Sequence, residues 1–456
     1  MTKKIYPKDI WKTISNKDSF LFGQFTPAIS NLGFKKIVEL EFKYANPEIY
    51  DKLMRNSEYI MNESYQRDQL KYLNEKLPLS SIENADKTEG RIESYKSYSH
   101  HVWVTNPLKP RDMVMYKAKL KAQNTHLKDD EQELMPLYQK NKIEVEIDDI
   151  DNSFVQSIRN LENGAKTSNL PLSEGVFKHI LWTNLSLNEI ENSPKLSSLR
   201  KICHKQNGVP EFIVLNINDV MDDLNKVQDL ASPGNPLPNA IKQALPQMKE
   251  DLLSVKDVFQ NMISKNLFAS ISDVIRVAAV KNIGGMYFDL DCILYDQDLV
   301  HKNQHKYNLF DLLKNYECIM QKDGYGYYQF ENGFFSASNA GSKIMQEVWN
   351  IIYRNVIKPD DVPYLKYVKN GFTKVICQTG PAVTALGFLK QYSDKDLVLF
   401  PGRMLYMYKP LDNDVGLLGY DVCGGTWVKD AKQSADYVMY DENGSGLTYD
   451  QYLEML

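Results

Sequence analysis

The sequence of 456 residues lacks the features that would assign it quickly to several classes of protein. No apolar run reaches the roughly 18–20 residues that a membrane-spanning helix needs. The N-terminus, MTKKIYPKDIWK, is charged and has no apolar core of the kind found in secretory signals. No strongly basic block stands out, and the net charge is −5. The sequence therefore predicts no signal peptide, no transmembrane segment and no nucleic-acid partner.

Cysteine is scarce, and its spacing is irregular. The five cysteines are Cys203, Cys292, Cys318, Cys377 and Cys423, and no CxxC pair occurs among them. An odd number of widely separated cysteines is typical of reduced thiols in a cytosolic environment. We therefore predict neither a disulfide framework nor a zinc site.

The chain does contain two parts of different character. Residues 1–88 look helical and charged, with apolar residues at mixed three- and four-residue spacing. The stretch LPLSSIENADKTEG, residues 77–90, is typical of a polar linker. The pattern predicts an N-terminal helical subdomain over 1–88 and a second domain over 89–456.

Three apolar stretches in the second domain are typical of buried strands. They are SHHVWVTNP (99–107), VFKHILWTN (176–184) and EFIVLNI (211–217). Residues 108–175 look helical and polar, so strands and helices alternate along the chain. This order favours an α/β fold with a mostly parallel sheet and helical insertions. His100 and His101 would face opposite sides of the first strand, as core or hydrogen-bonding histidines and not as metal ligands.

The clearest helix pattern is LFASISDVIRVAAVKNIGG, residues 267–285. Apolar residues recur three and four positions apart and would form one face of a helix. Gly284 and Gly285 provide the stop. Asp273 and Arg276 are three residues apart, which makes them neighbours on the helix surface.

The residues after the two glycines alternate in character. Met286, Phe288 and Leu290 would point to one side of a strand, and Tyr287, Asp289 and Asp291 to the other. Two carboxylates would then share one face at the C-terminal end of a strand, where ligands bind in open α/β sheets. A divalent cation would remove the repulsion between them, and hard oxygen ligands suit Mg²⁺ or Mn²⁺ bound to a diphosphate. An exposed strand end with both carboxylates in water is the alternative.

The stretch SDVIRVAAVKNIGGMYFDLD, residues 272–291, resembles the signature of the glycosyltransferase domains of large clostridial cytotoxins and related bacterial effectors. It is also similar to the wider family of DXD sugar transferases with the GT-A fold. The resemblance implies that fold, which has a Rossmann-like central sheet flanked by helices. It also implies a UDP-sugar donor and a Mn²⁺ or Mg²⁺ ion.

The resemblance implies a role for each residue of the motif. Asp291 would bind the metal ion, while Asp289 would contact the ribose and the donor sugar and reach the metal through water. Asp273 and Arg276 would hold the sugar and the diphosphate. Tyr287 would line the nucleotide pocket.

Further matches extend the resemblance along the chain. Trp103 fits the tryptophan that stacks on uracil, with core packing as the alternative. Asn184, after the second strand, would contact the nucleotide. Asn332, in QFENGFF, would face the sugar and the acceptor, or else lie in a turn. Gly380 and Pro381 belong to a TGP loop that opens a helix and would shape the backbone only.

The C-terminal segment DVCGGTWVKD, residues 421–430, matches in part. Trp427 fits the tryptophan that meets the β-phosphate or the glycosidic oxygen. The toxins carry a Glu and a Ser upstream of that tryptophan, where this chain has Val422 and Gly425. Asp421 and Thr426 would substitute for them.

The predicted site falls into three overlapping sets. The catalytic set is Asp273, Arg276, Asp289, Asp291, Asn332 and Trp427; the donor-binding set is Trp103, Asn184, Arg276, Tyr287, Asp289, Thr426 and Trp427; and the metal set is Asp289, Asp291 and Asp421.

The resemblance implies a metal-dependent retaining glycosyltransferase that moves glucose or N-acetylglucosamine from a UDP-sugar to a hydroxyl of a host protein, such as a small GTPase. It also implies a virulence effector that a bacterial secretion system delivers into the host cytoplasm. The N-terminal helices would then contact a membrane peripherally, with a plain supporting subdomain as the alternative. Two other functions fit the same residues: a transferase that extends a glycan or a lipid-linked sugar, and a catalytically silent module that binds nucleotide sugars.

Overall fold

The structure is a computed structural model of the chain, and it describes most of the second half of the sequence and parts of the first. The described residues are 38, 41–43, 45–61, 94–110, 116–120, 143–147, 153–168, 170–206, 208–290, 292–294, 309–310, 317–322, 330–367, 372–391, 397–400, 405–407, 419–421, 438–440 and 446–448.

The helices are numbered here in chain order. They are α1 Pro47–Met61, α2 Ser153–Thr167, α3 Leu187–Asn192, α4 Ser197–Cys203, α5 Ile217–Asp222, α6 Asn239–Ser254, α7 Lys256–Ser264, α8 Phe268–Ile283, α9 Lys343–Ile357, α10 Phe372–Gln378 and α11 Pro381–Gln391. Among these residues no helix combines the length and the apolar character that crossing a bilayer requires.

The strands are numbered in the same way. They are β1 Tyr98–Trp103, β2 Tyr116–Leu120, β3 Ile143–Ile147, β4 Lys178–Thr183, β5 Phe212–Asn216, β6 Gly285–Phe288, β7 Cys292–Leu294, β8 Cys318–Lys322, β9 Phe330–Ala337, β10 Leu397–Phe400, β11 Leu405–Met407, β12 Gly419–Asp421, β13 Val438–Tyr440 and β14 Gly446–Thr448.

A seven-stranded sheet in the order β10-β8-β9-β6-β1-β4-β5 forms the centre of the molecule. Strands β6, β1, β4 and β5 run parallel to one another. Strand β9 runs antiparallel to both β6 and β8, and β10 is parallel to β8. The α/β class, the three strands expected from 99–107, 176–184 and 211–217, and the Rossmann-like central sheet flanked by helices are all confirmed.

The order of the strands places a crevice beside β1. From β1 the chain moves outward through β4 to β5, and it then returns to the other side of β1 as β6. The connections therefore reverse direction at β1, and the carboxyl ends of β1, β4 and β6 lie together at this point. In open α/β sheets, ligands bind at such a switch.

Helix α8 lies directly under this sheet and confirms the helix predicted from 267–285. Nearly every residue from Ser270 to Ile283 is buried, including residues outside the apolar stripe. The helix packs against the sheet on one side and against α6 and α9 on the others, which explains why Ala, Val and Ile extend around it.

Gly285 allows β6 to approach β1 closely. Its φ is +95°, and a Cβ atom built on it would lie 2.3 Å from the carbonyl oxygen of Tyr98. A side chain at this position would push the two strands apart, so the second glycine of the predicted stop is also a packing requirement.

The alternation predicted after the glycines is observed. Met286 and Phe288 belong to the core on one face of the sheet, and Leu290 packs against that core. Tyr287 belongs to the core on the opposite face, which contains α8. The period of two therefore assigned these side chains to the correct sides.

The prediction that residues 108–175 are helical was wrong for two segments. Strands β2 and β3 pair in antiparallel register from Tyr116 opposite Ile147 to Leu120 opposite Ile143. Their sequences, YKAKL and IEVEI, alternate between polar and apolar residues, which is a strand period. The abundance of charged residues in this region concealed that alternation. Helix α2 follows the hairpin, as expected.

The described part of the N-terminal region packs on the main domain. Val38 and Leu53 are fully buried in the core that contains α8. Lys52 Nζ donates a 2.7 Å hydrogen bond to the carbonyl of Lys390 at the end of α11. The predicted boundary between residues 88 and 89 lies outside the described residues, so the division into two domains stays a prediction.

His100 is a buried core histidine, as predicted. Its Nδ1 accepts a hydrogen bond from Trp182 Nε1 at 3.2 Å, so its Nε2 carries the proton and donates to the carbonyl of Gly284 at 2.8 Å. Burial lowers the pKa of His100 to about 4. His101 points to the other face, where it lies near His179 and donates from Nδ1 to the carbonyl of Phe288 at 3.1 Å.

Candidate active site

A buried arginine lies at the centre of the candidate site. Arg276 on α8 is 6% exposed, and Asp273, one turn earlier, is 3% exposed. The Nη2 atom of Arg276 lies 3.4 Å from Asp273 Oδ1, and its Nη1 atom lies 3.3 Å from Asp289 Oδ1. The guanidinium carbon also lies 4.4 Å from the centre of the Tyr287 ring. One cation thus connects the helix to the carboxyl end of β6.

Strand β9 supplies the next member of this group. Arg276 Nη1 donates a 2.7 Å hydrogen bond to the carbonyl of Asn332, and Asn332 Nδ2 donates to Asp273 Oδ1 at 2.9 Å. Asn332 lies within β9, so the alternative that places it in a turn is wrong. The structure therefore brings together Asp273, Arg276, Tyr287, Asp289 and Asn332, all of which the sequence nominated.

Thr379 also belongs to this group, and the sequence analysis missed it. It lies between α10 and α11, is fully buried, and donates from Oγ1 to Asp273 Oδ2 at 2.8 Å. The TGP loop was visible in the sequence, but no local spacing relates Thr379 to a residue on α8. Only the packing of α10 against α8 brings the two together.

Burial determines the charge properties of the site. It raises the pKa of Asp273 to about 6, while Arg276 and the hydroxyl of Thr379 act in the opposite direction and Asp289 adds to the rise. Burial also raises the pKa of Tyr287, whose hydroxyl donates to Asp289 Oδ1. Tyr287 is therefore a neutral donor, and Asp273 is a carboxylate that protonates in mildly acidic solution.

Asp289 occupies the edge of the site. Its side chain is 30% exposed, whereas that of Arg276 is 7% exposed. Its N–H donates to the carbonyl of Gly333 at 2.9 Å, and its carbonyl accepts from the N–H of Cys292 at 3.1 Å. These bonds fix the backbone on both sides of the turn that carries the DXD motif. Asp291 itself lies outside the described residues.

Helix α2 holds the short strand that follows this turn. Ser157 Oγ donates to the carbonyl of Cys292 at 3.2 Å and accepts from the N–H of Leu294 at 2.9 Å, and Asn160 Nδ2 donates to the carbonyl of Leu294 at 2.8 Å. These two side chains therefore pair with β7 as a neighbouring strand would. No sequence pattern pointed to them.

The backbone also brings Asp421 near the motif. Strand β12 pairs with β7 in antiparallel register, and Asp421 lies opposite Cys292, the residue that follows Asp291 in the chain. The side chain of Asp421 is outside what the structure describes, as are Thr426 and Trp427. The proposed roles of these three residues stay predictions.

The carboxylates at this edge have the chemistry that Mg²⁺ and Mn²⁺ prefer, which is hard oxygen at a solvent-accessible position. Asp289 supplies one such group, and its Oδ1 is already oriented by Tyr287 and Arg276. Within the described residues no cluster of three or more potential ligands is formed. The side chains of the other two predicted ligands, Asp291 and Asp421, lie outside the described residues. Asp289 alone therefore supplies a described oxygen ligand of the kind that a hard divalent ion takes.

Trp103 and Asn184 lie at the carboxyl ends of β1 and β4. Trp103 is partly exposed and packs against the core opposite α8. The side chain of Asn184 is buried, accepts from the N–H of Thr105 at 3.0 Å and donates to its carbonyl at 2.8 Å. Asn184 thus fixes the segment after β1. Contacts of Trp103 and Asn184 with a nucleotide stay predictions, and Pro381 opens α11 as expected for the TGP loop.

Comparison with known families agrees with this geometry. Residues 195–307 match the family described as "Glycosyltransferase sugar-binding region containing DXD motif". The matched segment includes α8, the two glycines and both aspartates of the motif. This segment is therefore similar to a glycosyltransferase sugar-binding region. The predicted resemblance to DXD sugar transferases is confirmed by that match.

Similar solved structures carry related names. The chain is similar to "PaToxG Glycosyltransferase", with 13% sequence identity, a TM-score of 0.34 and coverage of 72% of this chain and 77% of that one. It is also similar to the glycosyltransferase domain from the YGT toxin. The ligand-free form gives 10% identity, a TM-score of 0.31 and coverage of 65% and 77%. The UDP-bound form gives 11% identity, a TM-score of 0.33 and coverage of 68% of this chain and 80% of that one.

A search of curated protein sequences finds no match to this chain.

Proposed function

We propose that the chain is a metal-dependent retaining glycosyltransferase that moves glucose or N-acetylglucosamine from a UDP-sugar to a hydroxyl group of a host protein. One observation carries the proposal. Arg276 is a buried cation held at once by α8, by β9 and by Asp289, inside the segment that matches the sugar-binding family. This cation lies at the carboxyl edge of the sheet, next to the switch in strand order.

The chemistry breaks the bond between the anomeric carbon of the sugar and the diphosphate. Negative charge then grows on the leaving UDP. Arg276 is positioned before the reaction by the carbonyl of Asn332 and by two carboxylates, so it stabilises that charge without first having to reorganise. Asp289, Asp291 and Asp421 would hold Mn²⁺ or Mg²⁺, which when bound supplies further positive charge to the diphosphate.

Asp273 is suited to bind the sugar itself. Each of its oxygens accepts one hydrogen bond, from Asn332 and from Thr379, and a carboxylate has about four lone-pair directions. The remaining directions can accept hydroxyl groups of the donor. Tyr287 keeps Asp289 oriented beside Arg276 and lines the pocket. No side chain is assigned as a nucleophile.

The uracil base of the donor and the acceptor would bind to parts of the site that only the sequence supports. Trp103, partly exposed at the end of β1, would stack on the uracil ring, and Trp427 would meet the β-phosphate. The resemblance to toxin and effector glycosyltransferases supports a protein acceptor, delivery into the host cytoplasm and a targeting role for residues 1–88.

A panel of UDP-sugars tests the proposal. Purified protein with Mn²⁺ should slowly hydrolyse at least one of them, and Asp289→Asn and Asp291→Asn should each abolish hydrolysis without a change in thermal unfolding. Asp360→Asn is the matched control, because Asp360 is exposed and lies in a short helical turn away from the motif.

The outcomes separate the candidate functions. If the protein neither binds nor turns over any UDP-sugar, that result would contradict the assignment as an enzyme. Binding without turnover, in the presence and absence of acceptors, would identify a silent nucleotide-sugar module. Transfer to a glycan or a lipid-linked sugar in preference to protein would replace the host-protein acceptor.

A further inference from the structure

We propose that Thr379 is a positioning residue for the donor sugar. Its hydroxyl holds the carboxylate of Asp273 in the one orientation in which that group accepts hydroxyls of the sugar. The proposal rests on the proposed function. Thr379 lies outside the matched sugar-binding region, residues 195–307, and 106 positions from Asp273 along the chain.

The two oxygens of Asp273 are held by different parts of the chain. Oδ1 accepts from Asn332 on β9 at 2.9 Å and faces Arg276 at 3.4 Å, and Oδ2 accepts from Thr379 at 2.8 Å. Rotation of the carboxylate about its terminal bond would break both hydrogen bonds. Without the hydroxyl of Thr379, Oδ2 loses its hydrogen-bond donor in a buried position. The orientation of the carboxylate then depends on the contacts of Oδ1 with Asn332 and Arg276.

Thr379 is itself fixed by a tight turn. Its N–H and that of Gly380 both donate to the carbonyl of Val375, at 3.1 and 2.9 Å. A Cβ atom on Gly380 would lie 3.0 Å from the same carbonyl oxygen, and Pro381 opens α11 immediately afterwards. The Thr379 hydroxyl also lies 3.3 Å from the Val375 carbonyl, but its single proton is directed to the closer carboxylate.

The turn is anchored to the rest of the molecule through α11. Gly387 on that helix lies against α9, where a Cβ atom would be 2.5 Å from Val348 Cγ2. The hydroxyl of Thr379 is therefore presented from a rigid element and not from a mobile loop. Such support is what a binding group needs to keep one geometry.

Three variants test the inference. Thr379→Val keeps the size of the side chain and removes the donor, and Thr379→Ser keeps the hydroxyl. Thr384→Val is the matched control: Thr384 lies on α11, is 1% exposed, and among the described residues its hydroxyl bonds only to the carbonyl of Gly380 at 3.4 Å. UDP-glucose and UDP-N-acetylglucosamine with Mn²⁺ are the probes, together with UDP alone.

Thr379→Val should lower kcat/KM for hydrolysis of the preferred UDP-sugar by roughly ten- to a hundredfold, the range for a hydrogen bond to a charged group. Thr379→Ser should stay within about threefold of the wild type, and Thr384→Val should match the wild type. Calorimetry should show weaker binding of the UDP-sugar to Thr379→Val but unchanged binding of UDP, since the effect is confined to the sugar.

A double-mutant cycle identifies the route of the effect. On an Asp273→Asn background, Thr379→Val should cause no further loss of sugar binding if the hydroxyl acts through Asp273. If Thr379→Val does not fold, Thr379→Ala takes its place in every comparison.

Several results would overturn the inference. They are equal activity of Thr379→Val and Thr384→Val, an equal loss in Thr379→Ser and Thr379→Val, or an equal weakening of UDP and UDP-sugar binding. A wild-type protein that neither binds nor hydrolyses any UDP-sugar contradicts the proposed function and the role of Thr379 together, whereas an active wild type with an unaffected Thr379→Val contradicts the role of Thr379 alone.

Discussion

Helix α8 carries two networks of ion pairs that differ in exposure. Near its middle, Arg276 faces Asp273 and Asp289, and the side chain of Asp289 is 30% exposed. In its second half, Lys281 Nζ lies 2.6 Å from Asp251 Oδ2, and these side chains are only 5% and 8% exposed. One network opens at the edge of the sheet, and the other is enclosed between helices.

The enclosed pair is complete without a ligand. Asn282 Nδ2 donates to the same Asp251 oxygen at 2.7 Å, and Lys281 lies over the ring of Trp349. The open network instead presents the cation of Arg276, the carboxylate of Asp273 and the partly exposed carboxylate of Asp289. We therefore expect a buried charge in this protein to belong to a functional site only where one member of its network reaches a surface that a ligand can enter.

The largest expected effect is on stability and belongs to the enclosed pair. Lys281→Met leaves Asp251 charged and buried without its cation, so we expect the free energy of unfolding in urea to fall by about 3–5 kcal/mol. Hydrolysis per folded molecule should be unchanged. The control is Lys226→Met, which breaks an exposed pair with Asp222 and should leave unfolding unaltered. A loss of turnover in the folded fraction of Lys281→Met would remove the distinction between the two networks.

A substitution in the open network should lower activity more than stability. Arg276→Lys keeps the positive charge but loses the fork that binds Asn332 and both carboxylates, so kcat should fall by roughly two to three orders of magnitude. Unfolding in urea should change much less than for Lys281→Met. If Arg276→Lys proves as destabilising as Lys281→Met and its folded fraction stays active, Arg276 is a structural residue.

Protonation of His100, which bonds to the carbonyl of Gly284 at the end of α8, should destabilise the folded protein in acid. The pKa of this histidine is about 4 in the folded protein, against 6.5 for an ordinary histidine. Because the folded-state pKa is lowered, the stability that it contributes is present above pH 6.5 and is lost as the pH falls towards 4, on the order of 3 kcal/mol. His100→Gln keeps an N–H donor for Gly284 but does not titrate, so thermal unfolding of this variant should depend less steeply on pH in that range. Equal slopes would contradict the assignment.

The smallest expected effect concerns the pH dependence of the open network. Burial raises the pKa of Asp273 to about 6, so this carboxylate is ionised above that pH and protonated below it. If the ionised form accepts the sugar hydroxyls, hydrolysis should fall about tenfold for each pH unit below 6. The profile of kcat/KM between pH 5 and 8 measures this. An acid limb that persists unchanged in Asp273→Asn would assign the titration to another group.

The secondary structure around the site could be predicted because its signals are local. The three- and four-residue spacing before Gly284 identified α8, and the period of two after it assigned Tyr287 and Asp289 to one face. The hairpin of β2 and β3 was missed because charged residues concealed a short alternation. The predicted pair of Asp273 and Arg276 is also local, since three residues on a helix are always neighbours.

The order of amino acids specifies the chemistry that is available: a motif with two carboxylates, an arginine one turn along a helix from an aspartate, and the glycines that end that helix. Which of those groups meet depends on how the chain folds. Asn332 and Thr379 reach Asp273 across 59 and 106 positions, and Ser157 reaches β7 across 135. Contacts of this kind leave no periodicity in the chain, because they depend on how whole helices and strands pack and not on the spacing of residues within any one of them.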